Sequence, residues 1–330
     1  MADQLRWGIL ATGLIAELFA TDLNAAGLHI SAVGSRSDQK AKAFAERFGI
    51  GTVHASYEAL VADPNVDIIY VATPHPYHAQ NAKMALEAGK HVLVEKAFTL
   101  NGAEADAIAA LARAKNLVLL EAMWTRFLPH MKRIHEIIDA GTLGTLRSVH
   151  AEHRQSLPTD PKHRLNAPEL GGGALLDLGI YPVSFAYDIL GAPSSVTATA
   201  RFTQTGVDAE IAITMKHAGD AISTSVSVLD CAGSNDAVIY GADARIEIDG
   251  VWYIPTSFRV IDHSGNVLEE FDQVVESRGM QYQAFEMERL VASGEAETPL
   301  MPLTQTLAIM HTLDEIRAQI GLVYPGEKKG

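Results

Sequence analysis

The sequence predicts an α/β protein in which a doubly wound parallel sheet is followed by an α+β region with a large, mostly antiparallel open sheet. Three observations lead there. The chain has 330 residues, which is about two domains' worth. Hydrophobic residues make up 48% and charged residues 20%, the balance of a chain that buries a core rather than one that stays disordered. The hydrophobic periodicity also changes character about a third of the way along.

From Leu5 to Ala122, short apolar runs alternate with helical stretches. Strands are expected at Leu5–Leu10, His29–Val33, Ile68–Ala72, His91–Val94 and Leu117–Leu120. Helices are expected between them at Leu14–Leu23, Asp38–Phe48, Tyr77–Glu87 and Ala103–Lys115. The strands are apolar throughout, which suits a sheet covered on both faces. Repeated strand–helix units of about 30 residues call for right-handed crossovers, and hence a parallel sheet. The first domain is placed at residues 1–122 and the second at 123–330, without a flexible linker.

Past the boundary, Leu146–Arg154 reads as a strand and Glu169–Leu190 as a helix broken near Pro182. Strands follow at Val196–Phe202, Glu210–Lys216, Ala221–Val228, Ala237–Tyr240, Arg245–Ile248, Phe258–Asp262 and Val267–Phe271. Within Ile222-Ser223-Thr224-Ser225-Val226-Ser227-Val228, serines alternate with mostly β-branched residues. Alternation of this kind gives one buried face and one polar face, the latter exposed or set against a partner subunit. Helices at Gln281–Val291 and Gln305–Ile320 close the chain. Leu303, Leu307, Met310, Leu313, Ile316 and Ile320 recur at helical spacing, a core-facing stripe.

Charge and cysteine usage exclude several classes of function. Lys and Arg total 26 against 40 for Asp and Glu, a net charge of -14. That balance argues against binding nucleic acid or docking on anionic membranes. The single cysteine, Cys231, can form neither an internal disulfide nor a thiolate metal cluster, and so suits a reducing compartment. No apolar run approaches the roughly 20 residues that span a bilayer. Met1-Ala2-Asp3-Gln4 leads into the first strand with no room for a signal peptide. A cytoplasmic protein is expected.

The first strand runs into Ala11-Thr12-Gly13-Leu14-Ile15-Ala16 and then a helix. Against the dinucleotide fingerprint G-x-G-x-x-G this reads A-x-G-x-x-A, with only the central glycine intact. The helix start behind it offers unpaired N–H groups and a positive dipole end to a pyrophosphate. Alone, the run also fits a plain strand–helix turn; its place at the end of the first strand favours a dinucleotide. The second strand ends at Ser35-Arg36-Ser37, where an NAD site usually carries an acid for the ribose hydroxyls. A hydroxyl and a guanidinium instead suit a 2′-phosphate, and Ser37 is placed to cap the next helix. NADP is therefore expected over NAD, although a capped turn with a solvated arginine has the same sequence.

Two later segments carry candidate chemistry. The strand at Val92–Val94 ends in Glu95-Lys96, and Gly171-Gly172-Gly173 leads to Asp177 and Tyr181, four residues apart and so on one helical face. A solvated lysine and a structural Asp/Tyr hydrogen bond are the ordinary alternatives. Together with Ala11–Ala16, Ala72-Thr73-Pro74-His75-Pro76-Tyr77-His78 and Glu121-Ala122-Met123-Trp124-Thr125-Arg126-Phe127, these segments resemble the Gfo/Idh/MocA oxidoreductases. Within that family the chain is most similar to the branch with dimeric dihydrodiol dehydrogenase, D-xylose dehydrogenase and glucose–fructose oxidoreductase. The resemblance extends to Leu322-Val323-Tyr324-Pro325.

The resemblance implies an N-terminal Rossmann domain, a C-terminal domain whose open sheet often forms a homodimer, and NADP(H) chemistry on sugars, inositols or related diols. By position, Ala11, Thr12, Gly13, Leu14 and Ile15 would hold the pyrophosphate, and Ser35, Arg36 and Ser37 the adenosine end. Thr73, Pro74, His75, His78, Glu95, Lys96, Trp124 and Arg126 would complete the cofactor surface. Lys96, Trp124, Phe127, His153, Asp177 and Tyr181 would meet the substrate, with Arg154 and His163 as weaker candidates. Trp124, Arg126 and Phe127 fit packing at the domain junction as well. Of these residues, Lys96 would bind the reacting oxygen, Asp177 would place the substrate, and Tyr181 would give or take the proton.

Free tyrosine titrates near pH ~10, so a neutral-pH base needs a depression of about 4 kcal/mol. Lys96 and an oxidised nicotinamide would supply it as cations. The family usually has a proline after this lysine, often with a cis peptide; here Ala97 follows. No metal is expected: His75-x-x-His78 and His150-x-x-His153 lack a third ligand at a telling spacing. No G-x-S-x-G turn marks a hydrolase. A non-catalytic NADP-binding regulator of the same family is the alternative to an enzyme.

Overall fold

The computed structural model describes residues 4–327. Met1–Asp3, where the sequence places an immediate entry into the fold, lie outside the described residues. The chain forms two compact units, Met1–Trp124 with Val275–Leu307 and Thr125–Val274 with Ala308–Gly330.

In the first unit the chain runs β1 (Arg6–Leu10), α1 (Leu14–Ala25), β2 (His29–Gly34), α2 (Asp38–Phe48), β3 (Thr52–His54), α3 (Tyr57–Val61), β4 (Ile68–Val71), α4 (His78–Glu87), β5 (His91–Glu95), α5 (Gly102–Lys115) and β6 (Leu119–Ala122). The sheet is wholly parallel, in the order β3-β2-β1-β4-β5-β6. Every residue of β4 and β6 is buried, as continuous apolar strands covered by helices on both faces require. β1 and β4 are neighbours although their connections leave in opposite directions, and such a reversal opens a crevice at the carboxyl ends of the strands. The periodicity did not mark β3 or α3. β3 is a three-residue edge strand with one apolar side chain, too short to show a period.

The second unit begins with α6 (Pro129–Asp139), which starts on a proline at its first turn and buries Met131, Ile134 and Ile137. It continues through β7 (Leu146–Arg154), a π-helical turn (Leu175–Gly179), α7 (Ile180–Leu190), β8 (Ser195–Phe202), β9 (Asp208–Lys216), β10 (Ile222–Val228), β11 (Ala237–Gly241), β12 (Ala244–Ile248), β13 (Phe258–Asp262) and β14 (Val267–Phe271). These strands form one sheet, ordered β14-β13-β12-β11-β7-β10-β9-β8. Its pairs are antiparallel except β7 with β10. The expected helix break falls before Pro182, at the π turn. Proline has no N–H to close onto the carbonyl four residues back, so the preceding turn widens.

The stretch Pro168–Leu190 has the length and composition of a membrane span, but 89% of its apolar 18-residue window is buried in the protein's own core. It is the buried segment that ends in the π turn and α7, and it covers the broken helix expected at Glu169–Leu190. The alternation in β10 is also inverted. Ser223, Ser225 and Ser227 are buried, while Ile222 and Thr224 are exposed and Val226 is half-buried. The serines lie in register between Met215, Ile213 and Ile211 of β9 and Val149, Ala151 and His153 of β7. The π turn and α7, nearly all of whose residues are buried, pack on this face. Small side chains leave room for a bulky helix, so the β-branched face turns outward. Cys231, just beyond β10, is exposed.

Two helices close the chain, α8 (Gln281–Ser293) and α9 (Leu303–Ile320). The division expected at 122/123 misses one segment, because Val275–Leu307 belongs with the first unit. Asp22 of α1 accepts from the backbone N–H groups of Arg278 and Met280 at 3.3 and 2.8 Å. The Trp7 indole donates to Glu288 of α8 at 2.8 Å. Side chains far apart in sequence hold this return, and periodicity cannot report it.

Candidate active site

In the first unit, the loop from β1 to α1 holds the fingerprint. Ala11 adopts φ +92, the left-handed region in which the fingerprint normally has its first glycine. Gly13 is the N-cap of α1 with an ordinary φ of -80 and no side-chain cap. A Cβ built on it meets nothing within 4 Å. Neither backbone conformation nor the protein's own packing therefore asks for glycine at 13. A ligand pressed against the backbone would, and the uncapped helix start suits an anion. The residues present fit a dinucleotide.

At the end of β2, Ser37 caps α2 by accepting from the Lys40 N–H at 3.4 Å, and its own N–H donates to Ser35 Oγ at 3.2 Å. Ser35 is buried, whereas Arg36 is exposed with its guanidinium 5.9 Å from the Tyr77 ring centre. An exposed cation is thus set against an aromatic face on the residue between two serines.

The histidines of the β4 loop bond to backbone carbonyls. His78 is 1% exposed. Its ring sits between two carbonyls, Nδ1 at 2.9 Å from Ala97 O and Nε2 at 2.6 Å from Thr73 O. Burial lowers its pKa while these carbonyls raise it. His75 is buried too, with Nε2 at 3.3 Å from Lys96 O, and Asn81 donates to Thr73 Oγ1 at 3.1 Å. His78 thus braces the loop around Lys96. Pro74 starts the short turn His75–Tyr77 that aims both rings.

Glu95 ends β5. It is 4% exposed and accepts from the Tyr70 hydroxyl inside the sheet. Lys96 is half-buried, and the peptide to Ala97 is cis, so the departure from proline leaves that geometry in place. Trp124 is buried with the Arg278 guanidinium 5.1 Å from its ring centre. Arg126, expected at the cofactor, is 4% exposed; it donates to Ser184 Oγ at 3.0 Å and pairs with Asp188. It is a core ion pair of the second unit, with His135 as Asp188's further partner at 3.0 Å. Phe127 is buried as well.

The second unit brings Asp177 and Tyr181 onto successive turns of the π segment and α7. Both are 7% exposed. Arg164 donates to Asp177 Oδ1 at 3.0 Å. His153, on the helix-facing side of β7, meets the Tyr181 ring edge-on at 5.0 Å and stacks on Tyr253 at 3.8 Å. Gln155 Nε2 donates to His153 Nε2 at 2.8 Å, which places the proton of a neutral imidazole on Nδ1. Tyr253 is held by Thr125 Oγ1, which donates to its carbonyl at 2.8 Å.

Tyr253, Gln155 and Arg164 were not singled out by the sequence. They lie in irregular segments or beside a recognised residue, and only the fold gathers them. His163 instead caps a short turn, accepting from Leu165 N–H at 3.4 Å. Arg154 pairs with Glu152 at 2.7 Å. His150 bonds Thr224 on the opposite sheet face from His153, so those two imidazoles cannot share an ion. Among the described residues no group of His, Cys, Asp and Glu is placed to hold a metal.

Residues 5–123 match the model of the oxidoreductase family with an NAD-binding Rossmann fold, and residues 131–248 match the GFO/IDH/MocA C-terminal domain. The chain is 34% identical to D-xylose 1-dehydrogenase (NADP(+)) from Hypocrea jecorina, covering 97% of this chain and 93% of that protein. It is likewise 34% identical to trans-1,2-dihydrobenzene-1,2-diol dehydrogenase from Mus musculus, over 98% and 99%. Among solved structures it is similar to KijD10, a 3-ketoreductase from Actinomadura kijaniata in complex with NADP and TDP-benzene. That match has a TM-score of 0.85 and 27% identity, over 96% of this chain and 98% of that one. The chain belongs to the Gfo/Idh/MocA oxidoreductases.

Proposed function

We propose that this chain is an NADP(H)-dependent dehydrogenase or reductase that acts on a hydroxyl or carbonyl of a sugar, inositol or trans-diol. The observation that carries the reading is the buried polar pair Asp177 and Tyr181, set on a helix among His153, Tyr253 and Arg164. A carboxylate and a phenol four residues apart on one helical face offer a polyol an acceptor for one hydroxyl and a group that exchanges the proton of the next. The relatives' names support the substrate class, and the exposed Arg36 beside Ser35 and Ser37 supports NADP over NAD.

When bound, the nicotinamide would accept or return a hydride. In this reading Gly13 and the start of α1 bind its pyrophosphate, and Arg36 binds the 2′-phosphate. Tyr181 takes the hydroxyl proton in oxidation and returns it in reduction. Lys96, in the loop braced by His75 and His78, holds the reacting oxygen. Asp177, oriented by Arg164, accepts a neighbouring substrate hydroxyl.

A screen of aldoses, ketoses, inositols and trans-diols with NADP(H) and NAD(H), followed by nicotinamide absorbance, tests the proposal. Turnover with at least one polyol and a preference for NADP(H) is the expected result. Silence across the panel with intact NADP binding would favour the regulator instead. We further infer a cytoplasmic homodimer or higher homo-oligomer formed through the second sheet. The lone Cys231 supports the compartment, and the outward Ile222, Thr224 and Val226 support the interface.

A further inference from the structure

Gly171-Gly172-Gly173 leads into the turn that carries Asp177 and Tyr181, and each glycine meets its own obstacle. Gly171 and Gly173 have φ of +68 and +124, where side chains are strained. A Cβ on Gly172 would lie 2.6 Å from Leu165 O, and one on Gly173 would collide with Asp208 Oδ1. Asp208 opens β9 and is wholly buried. Its Oδ2 accepts from the Leu175 N–H at 2.6 Å, at the mouth of the π turn. Its Oδ1 has no hydrogen-bond partner among the described residues. On the other side of the loop, the Tyr324 hydroxyl donates to Gly172 O at 2.8 Å. Arg317 lies over the Tyr324 ring and pairs with Glu327 at 2.7 Å, and Glu327 accepts from the Tyr324 N–H at 3.0 Å.

A buried carboxylate with one oxygen unmatched is unfavourable for stability alone, and the rest of β9 buries Ala209, Ile211, Ile213 and Met215 without any such group. We propose that Asp208 is a positioning residue: its grip on Leu175 beneath the glycine turn sets how the π turn presents Asp177 and Tyr181, with Tyr324 holding the opposite side. This rests on the reading of Asp177 and Tyr181 as the reacting pair. The groups that face Asp208 are the N–H groups of Ala174 and Leu175, Arg317 of α9, and Tyr324. Burial outweighs the hydrogen bonds and pushes the carboxyl up to about 7. Its charge, and so the strength of the grip, changes through neutral pH.

The test compares Asp208→Asn, Asp208→Ala, Tyr324→Phe and Tyr181→Phe in the full chain by thermal melting, NADP titration, and kcat and KM across pH. Asp208→Asn is expected to bind NADP within about twofold, to lose roughly tenfold or more in kcat, and to lose an ionisation near neutrality from the kcat profile. Asp208→Ala should fall further. If Asp208→Asn and Asp208→Ala fold and keep the parent kcat and pH profile while Tyr181→Phe is inactive, the positioning role is overturned. If Tyr181→Phe keeps full turnover, the reading of the reacting pair fails instead. Should the Asp208 variants not fold, Tyr324→Phe carries the test: a several-fold loss of kcat at unchanged NADP affinity supports the clamp, and parent kcat overturns it.

Discussion

The two units present their candidate surfaces in opposite ways. In the first, the surface offered to the dinucleotide is chiefly main chain, the open helix start at Gly13, while His75 and His78 turn inward to hold carbonyls. In the second, side chains gather: Asp177, Tyr181, His153, Tyr253, Gln155 and Arg164. A backbone site serves any ligand of one shape and is marked by glycine positions. A side-chain site can be refitted to new substrates without disturbing it.

The sharpest way to break this comparison is Tyr181→Phe. It should lower kcat by about 10³-fold or more while NADP affinity stays within a few-fold; comparable losses in both would mean the units do not divide the work. The second unit should also be the pH-sensitive one. Asp208 titrates at about 7 in the folded protein and near ~3.9 in the unfolded chain. Between these values the folded state holds a proton the unfolded chain has lost. Stability contributed here is therefore largest at low pH and falls as pH rises toward 7, by on the order of 4 kcal/mol in all. Denaturation series at several pH values should show that slope, and Asp208→Asn should flatten it.

Arg36→Ala comes next, because it tests the exposed charged side chain assigned to the first unit's cofactor surface. Affinity for NADP should fall by about 10- to 100-fold, and that for NAD by no more than a few-fold; equal losses would remove the 2′-phosphate assignment. The smallest effect concerns the sheet. Ser225→Val, on the helix-facing side, should destabilise by about 1–3 kcal/mol through overpacking. Thr224→Val on the outer side should stay within about 0.5 kcal/mol. Equal melting shifts would contradict the inverted strand.

The first unit was the more legible in sequence because its strands are apolar end to end and its turns carry their signatures locally: Ser37 caps α2 as the sequence led us to expect. β3 escaped notice because three edge residues show no period. In the second unit, alternation in β10 revealed two faces but not which one turned inward, since that depends on the bulk of α7 laid against it. His78, Glu95 and Arg126 have contacts that the sequence did not report. A polar residue in a motif reads as a ligand contact, and the bonds of these three to Thr73 and Ala97, to Tyr70 and to Asp188 depend on neighbours that only the fold supplies. Asp208 carried no local signal at all, being one acid at a strand start whose partner is a backbone N–H 33 positions earlier.

Cys231 turns one exposed thiol into an experimental convenience. A chain with a single cysteine takes up a single nitroxide at a known place beside β10. Any dipolar coupling in the labelled protein must then arise between copies, so one spectrum would report both whether the chain self-associates and how far apart the ends of the two β10 strands lie.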